Sequence, residues 1–445
     1  MNIENKSGTT ILRHAVKQRL HRSWRSMFIG RPLATADAPH QTIGKTVGLA
    51  IFASDALSST AYATQEILIV LALAGAAALS YAFPISIAIV ALLAIVTISY
   101  EQTIHSYPDG GGAYIVARDN LGELPAQIAA ASLLTDYILT VSVSVSSGVA
   151  QIVSAYPSLF PDRIYIAIGM VIFVTVINLR GVKESGFAFA IPSYLFLIMM
   201  FLTVSIGFIR YIAGTLGTVV NPPPLTLAYT LQAVTPFLIL HAFSSGTTAL
   251  TGVEAISNGI TAFKEPRSRN AGITLILMSL ILGFLFLGIT FLVGPIAAIP
   301  SEEETVISQL ARTIYNGRGL LYLGTLVSTT AILIMAANTS FNGFPRLTAL
   351  QAKDGFLPRQ FTYRGSRLVY SWGIIFLAVM ASLLITLFQA SVTALIPLYA
   401  IGVFLSFTLS QAGMAHRWWK IGHIVPGQEI QERGSLLHYV SGWTL

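Results

Sequence analysis

"VGLAIFASDALSSTAYATQEILIV" (residues 47–70) is long and apolar enough to cross a bilayer, yet its centre is poorly suited to a continuous helix. From Ser54 to Thr60, small and hydroxyl side chains crowd around an acid, Asp55. Such side chains compete for backbone hydrogen bonds and weaken a helix. Inside a membrane, an interrupted backbone is tolerated only where it lines a cavity or is buried in protein. The stretch therefore reads as a membrane span broken near its middle, with a carboxylate at the break.

The rest of the chain agrees about the solvent. The chain is 54% hydrophobic and 10% charged, against about 45–50% and about 25% for soluble proteins. Windows of about 20 apolar residues recur near 45–74, 83–106, 122–153, 164–181, 187–213, 232–260, 271–298, 319–349, 370–389 and 392–414. The fold class expected is all-α integral membrane, with about ten transmembrane helices. A polar arm of 44 residues precedes the first window, which is unlike a cleaved signal peptide. The chain has no cysteine, so it has neither disulfides nor thiolate metal sites.

A second interruption occupies the sixth window. "FSSGTTALTGVEAISNGITAF" (243–263) carries Gly246, Gly252 and Gly259, with Glu254 near its middle. Windows one and six are corresponding members of two five-helix halves. Paired interruptions of this kind point to an inverted-repeat transporter with its site at mid-membrane, although glycines also allow close helix packing. The expected division is a cytoplasmic basic segment 1–44, a first five-helix repeat 45–213, a second 232–415 and a cytoplasmic tail 416–445.

Charge fixes an expected orientation. With the N-terminus inside, all but Arg163, Arg210, Arg312 and Arg318 of the 26 basic residues fall on inner segments, while the acidic "SEEE" (301–304) falls outside. That is the positive-inside pattern with both termini cytoplasmic. It also accounts for the net charge of +7 without nucleic acid. Within the arm, "RHAVKQRLHRSWRSMF" (13–28) reads either as a basic amphipathic helix on an anionic leaflet or as a solvated tether. The inner stretches "FKEPRSRN" (263–270) and "FPRLTALQAKDGFLPR" (344–359) read either as short amphipathic gating helices or as orientation signals, the latter being favoured.

The third window holds another acid. In "LLTDYILTVSVSVS" (133–146), the alternation at the end suggests a strand, but a span of this length must be helical for its backbone to be satisfied. On a helix, Asp136, Thr140 and Ser144 fall at i, i+4 and i+8, forming one oxygen-bearing stripe with Tyr137 beside it. Oxygen ligands replace lost hydration and the carboxylate offsets desolvation, so this is chemistry for a cation. The bland alternative is a hydrogen-bonded staple between helices. Asp55, Asp136 and Glu254 are read as the three intramembrane acids, with no Lys or Arg in the centre of any span to pair with them. Mutual repulsion around one cavity favours a proton on at least one, which makes all three proton-coupling candidates.

"SDALSSTAYATQEIL", "SYPDGGGAYIVARDNLG", "LLTDYILTVSVSVSSGV", "ALTGVEAISN" and "IPLYAIGVF" occur in this order across 45–415. Together they resemble the KimA-type potassium importers, of the KUP group in the amino acid–polyamine–cation permease superfamily. The resemblance implies a LeuT-like 5+5 inverted-repeat core in the plasma membrane and proton-coupled potassium symport. It also implies a substrate and ion site of Asp55, Tyr62, Asp136, Tyr137, Thr140, Ser144, Thr251, Glu254 and Tyr399. Potassium itself would be held by Asp55, Asp136, Thr140 and Ser144. No cofactor is implied beyond transported potassium and protons, and the partners are the bilayer and a small cation or small molecule, with a homodimer left open. Such importers have twelve spans and a cytosolic C-terminal domain, so the chain reads as a fragment or a compact form of the core.

The rival reading is an amino acid permease. Its substrate carboxylate would be repelled by an ionised Asp55, so a cationic amino acid or amine suits the site better than an anion. For an enzyme, neither a nucleophile with its base nor a metal-ligand spacing is found. The histidines are scattered, and His241 is expected to be a packed structural residue. "PDGGGAY" (108–114) lacks the Lys-Ser/Thr of a phosphate loop and reads as the turn between spans two and three.

Overall fold

The computed structural model describes residues 43–422, except 109, 111, 181–185, 225–231 and 366–368. The amphipathic stretch 13–28 and most of the tail lie outside them. The described chain is helical, apart from one isolated bridge that pairs Ile43 with Phe263.

The first window folds as two pieces. Helix α1 (Lys45–Ser58) ends in a single 3-10 turn, Ser59–Ala61, and α2 (Ala63–Ala72) continues beyond Tyr62. Then follow α3 (Ala82–Ser106), α4 (Ala113–Leu121), α5 (Glu123–Ala155), α6 (Arg163–Leu179) and α7 (Gly186–Ile212). The sixth window is broken more thoroughly. Helix α8 (Pro236–Gly246) gives way to a 3-10 turn, then to the turn 251–254, and resumes as the single-turn α9 (Ala255–Asn258). The chain closes with α10 (Arg267–Val293), α11 (Val306–Ile314), α12 (Leu320–Lys353), α13 (Ser371–Leu387) and α14 (Val392–Gly422).

Seven of the described helices are long and apolar enough to cross a membrane by themselves, and α13 is a shorter apolar helix of 17 residues. Their outer faces carry Ile95, Tyr165, Phe173, Ile198, Leu280 and Val327 in exposed positions. Such a surface suits lipid and would aggregate in water.

The interior is arranged around the two breaks. Helix α5 packs most extensively on α12 and also on α14, while α1 lies against α7, α10 and α12. The piece α2 packs on α8, so each broken window touches the other. The hydroxyls that weaken α1 also satisfy the backbone there. Ser58 Oγ donates to the Asp55 carbonyl (2.7 Å) and Thr60 Oγ1 to that of Leu57 (2.7 Å). Ser59 Oγ lies 3.0 Å from the Ala249 carbonyl, which ties the first break to the second.

One expectation about connections is corrected, and one alternative drops out. "PDGGGAY" does not join spans two and three directly, because α4 intervenes as a separate helix that stacks on α5 and α14. Nor do the inner basic stretches form gating helices of their own. Residues 344–353 continue α12 without a break, despite Pro345, and 267–270 are the first turn of α10.

Candidate functional site

The two breaks pack against each other, and their acids are within electrostatic reach of Asp136 on α5. At Gly252, φ is +79°, a conformation that glycine adopts without strain. A Cβ there would lie 2.6 Å from the Ala56 nitrogen and 2.9 Å from Asp55 Cγ. The second break thus presses its backbone directly onto Asp55. Two residues along, Glu254 sits at the start of α9. It accepts a hydrogen bond from Tyr100 of α3 (2.9 Å) and longer ones from Ser406 of α14 (3.4 Å) and Asn258 (3.5 Å).

Asp136 lies where α5 crosses α14, next to Gly402. Its Oδ1 is buried and has no hydrogen-bond partner among the described residues. One turn on, Thr140 Oγ1 shares a hydrogen bond of 3.1 Å with the Tyr399 hydroxyl. Tyr399 reaches Tyr62 at the first break, and Tyr62 reaches Thr251 at the second. Tyr137 packs its ring onto α12 at Gly343 and reaches Asn258 with its hydroxyl.

Eight of the nine candidate residues are thereby brought into one chain of contacts: Asp55, Tyr62, Asp136, Tyr137, Thr140, Thr251, Glu254 and Tyr399. Ser144 is buried one turn beyond Thr140 on α5, and no hydrogen bond joins it to the others. The three acids lie within electrostatic reach of one another, Glu254 acting on Asp55 and Asp136, and Asp55 on Asp136. Among the described residues, none of the three forms an ion pair with Lys or Arg. A buried carboxylate without a counter-charge is costly. Positive charge, carried by a proton or a bound cation, offsets that cost.

Several participants went unread in the sequence. Tyr100 is fully buried and touches Glu254, but a lone tyrosine in an apolar helix resembles ordinary packing. The count of three intramembrane acids is also corrected, since Glu66 on α2 is 2% exposed and makes a fourth. Its signal was present in "TQEIL", an acid beside an amide within an apolar run. His241 is not a packed histidine. It is exposed and lines an open groove with Ser244, Ser245, Ala400 and Phe404.

Comparison with known proteins adds the lineage. The family model described as amino acid permease matches residues 42–428. The potassium transporter KimA of Bacillus subtilis (strain 168) is 46% identical over 401 residues, covering 90% of this chain and 66% of KimA. Two cationic amino acid transporters of Arabidopsis thaliana are more distant. Number 3, mitochondrial, is 24% identical over 359 residues (76% of this chain, 56% of the relative), and number 6, chloroplastic, 26% over 194 (40% and 31%). The chain spans at most 66% of the length of these curated relatives. With the matched residues covering the broken helices and the acid cluster between them, the chain belongs to the amino acid permease family.

Proposed function

We propose that this chain is the core of a secondary active transporter that takes up potassium together with protons. The observation that carries the reading is Asp136 Oδ1, a buried carboxylate oxygen with no partner. The Thr140–Tyr399 pair lies one turn along the same helix, and Asp136 is within electrostatic reach of Tyr399 and of two further acids. A dehydrated potassium ion needs several oxygens and some negative charge. Asp55, Asp136, Thr140 and Ser144 would hold it, with Tyr62, Tyr137, Thr251 and Tyr399 closing the shell. Glu254, already bonded to Tyr100, Ser406 and Asn258, is the carboxylate best separated from the ion for carrying a proton.

The two broken windows support a LeuT-like core of ten spans, in which 45–213 and 232–415 are inverted repeats. Treating α1 with α2, and α8 with α9, as single interrupted spans supports the count of ten. Apart from Arg163, Arg210, Arg312 and Arg318, the described basic residues belong to the segments at the end of the bundle where Ile43 pairs with Phe263 and where His416 meets Asn120. That end is cytoplasmic by the positive-inside rule, in a plasma membrane. Similarity to a transporter named for potassium supports the choice of ion.

A second reading, uptake of a cationic amino acid or amine, is favoured by the names of the more distant relatives. An ammonium would occupy the same carboxylates. The two are separated by uptake into proteoliposomes under an inward proton gradient, with radioactive rubidium beside labelled lysine, arginine and putrescine. Rubidium uptake without amine uptake is expected. Amine uptake without rubidium uptake overturns the potassium assignment.

A further inference from the structure

The fourth acid, Glu66, stands apart from the cluster around Asp136. It follows Tyr62 by one turn, its amide donating to the Tyr62 carbonyl (3.0 Å). Its side chain is buried, and its Oε1 accepts a hydrogen bond from Thr393 Oγ1 (3.1 Å) at the start of α14. This pair repeats, further out, the contact that Tyr62 makes with Tyr399 of the same helix. Beside it, Gln65 Nε2 donates to the Ser301 carbonyl (3.0 Å), and its Oε1 accepts from the Val306 amide (3.0 Å). Two consecutive side chains of the broken span thus tie it to α14 and to the loop carrying "SEEE". Among the described residues, Glu66 forms no ion pair with Lys, Arg or His. The charge within its reach is a second carboxylate, that of Glu302. On the same side, the Arg163 guanidinium engages the Phe160 ring (4.2 Å) and the Gln389 carbonyl (3.0 Å). Of the helices packed on α2, α8 carries His241, exposed in its groove. Glu101 and His105 of α3 and Arg267 of α10 lie toward the opposite end, where Ile43 pairs with Phe263.

We propose that Glu66 is a proton-binding site, and that the end of the bundle around α2 closes only over its protonated form. The proposal rests on the proton-coupled reading and adds to it a site separate from Glu254. An ionised carboxylate enclosed in this way loses its hydration with no cation to offset the loss, and Glu302 adds repulsion. A single hydroxyl beside the carboxyl supplies too few oxygens to replace the hydration of a metal ion. Water comes close enough to exchange the proton. A cleft lined by Gln65, Thr393 and Glu302 lies beside the pair, and about 30 Å³ of it accepts the centre of a water molecule. One water needs roughly 10–15 Å³. The step is a proton transfer alone. A hydronium ion in the cleft gives its proton to Glu66 Oε2, the oxygen that Thr393 leaves free, and becomes water; release reverses this. The ionised form demands hydration, so loss of the proton draws Glu66 and Thr393 apart toward the cleft. A proton taken from this side thereby becomes a condition for closing behind the ion, because it binds the closed form better than the open one.

The test is infrared difference spectroscopy of the full chain in nanodiscs as pH is varied, beside rubidium uptake into proteoliposomes at several outer pH values. Glu66→Gln keeps the shape and the acceptor for Thr393 but cannot titrate, so a merely structural carboxyl predicts wild-type behaviour. The expected result is a titrating protonated-carboxyl band that is present in wild type and in Glu254→Gln and missing from Glu66→Gln. Uptake by Glu66→Gln is expected to depend about fivefold less on outer pH than uptake by the wild type. Thr393→Val leaves the carboxyl in place and removes its hydrogen bond, so it should shift the frequency of the same band even if Glu66→Gln does not fold. An unchanged difference spectrum in Glu66→Gln, a Glu66 band that does not titrate, or an unshifted band in Thr393→Val overturns the site. Loss of the band with a wild-type response of uptake to outer pH overturns the link to closure. If the wild type takes up no rubidium, the potassium reading falls, while the infrared band still decides Glu66 by itself.

Discussion

Gly252 and Asp55 meet backbone to side chain: a Cβ on the glycine would stand 2.9 Å from the Asp55 Cγ and 2.6 Å from the Ala56 nitrogen. The two interrupted helices are held together by this approach and by the Ser59–Ala249 bond. Because the nearest atom is backbone, it cannot swing aside. Gly252→Ala also carries the cost of a positive φ, about 1–2 kcal/mol. The variant is expected to melt earlier and to lose transport, as read by fluorescence-detected size exclusion after heating. An unchanged melting temperature contradicts the approach described.

The Thr140–Tyr399 bond links α5 to α14 beside Asp136. If both oxygens serve the ion, Thr140→Val and Tyr399→Phe should each weaken half-saturation for rubidium several-fold. Their combination should fall short of the product by an interaction of about 1 kcal/mol. Strict additivity in the double-mutant cycle would show that the two hydroxyls act independently.

Tyr100→Phe keeps the edge-on ring contact with Phe407 (centroids 5.6 Å) and removes only the donor to Glu254. The remaining contact to that oxygen, from Ser406, is long at 3.4 Å. A carboxylate oxygen left short of donors costs about 1–3 kcal/mol. The expectation is a lower melting temperature together with impaired proton-driven uptake. Wild-type uptake in this variant would remove Glu254 from the proton route.

On the cytoplasmic side of the proposed orientation, Tyr114 of α4 donates to Asp354 (2.6 Å), just past α12, with Arg118 also near (3.4 Å). Burial and the Asp354 charge push the Tyr114 hydroxyl above its usual range. A raised value means that the bond is fully present below the ordinary tyrosine pKa, near 10, and is lost only as pH rises through the higher folded value. Tyr114→Phe should therefore lower the melting temperature by the same amount from pH 6 to pH 9. The partly exposed contact is worth about 1 kcal/mol. A difference that vanishes within that window would mean that the bond does not stabilise the fold.

Much of the site was legible because membrane helices obey few rules. Period alone put Asp136 and Thr140 on one stripe, and hydroxyl and glycine content alone located both breaks. What stayed hidden depended on partners from distant helices. Tyr100 acquires meaning only when α3 brings it to Glu254. Glu66 was absorbed into a window already explained by Asp55, although it faces the opposite end of the broken span. Ser144 shows the limit of the stripe, since helical spacing places a side chain on a face without saying what waits there. Helix α4 was missed because the glycines before it read as a complete turn.

In the proposed transport cycle, Asp136 offers its unpartnered oxygen to a dehydrated potassium ion. The most direct measurement is rubidium uptake into proteoliposomes under an inward proton gradient, comparing wild type with Asp136→Asn. The substitution preserves shape and removes only the charge, so the protein should remain folded and should melt no earlier than the wild type. Uptake is predicted to fall by at least about tenfold, through loss of the charge that offsets ion desolvation. Wild-type uptake by a folded Asp136→Asn protein would contradict the account.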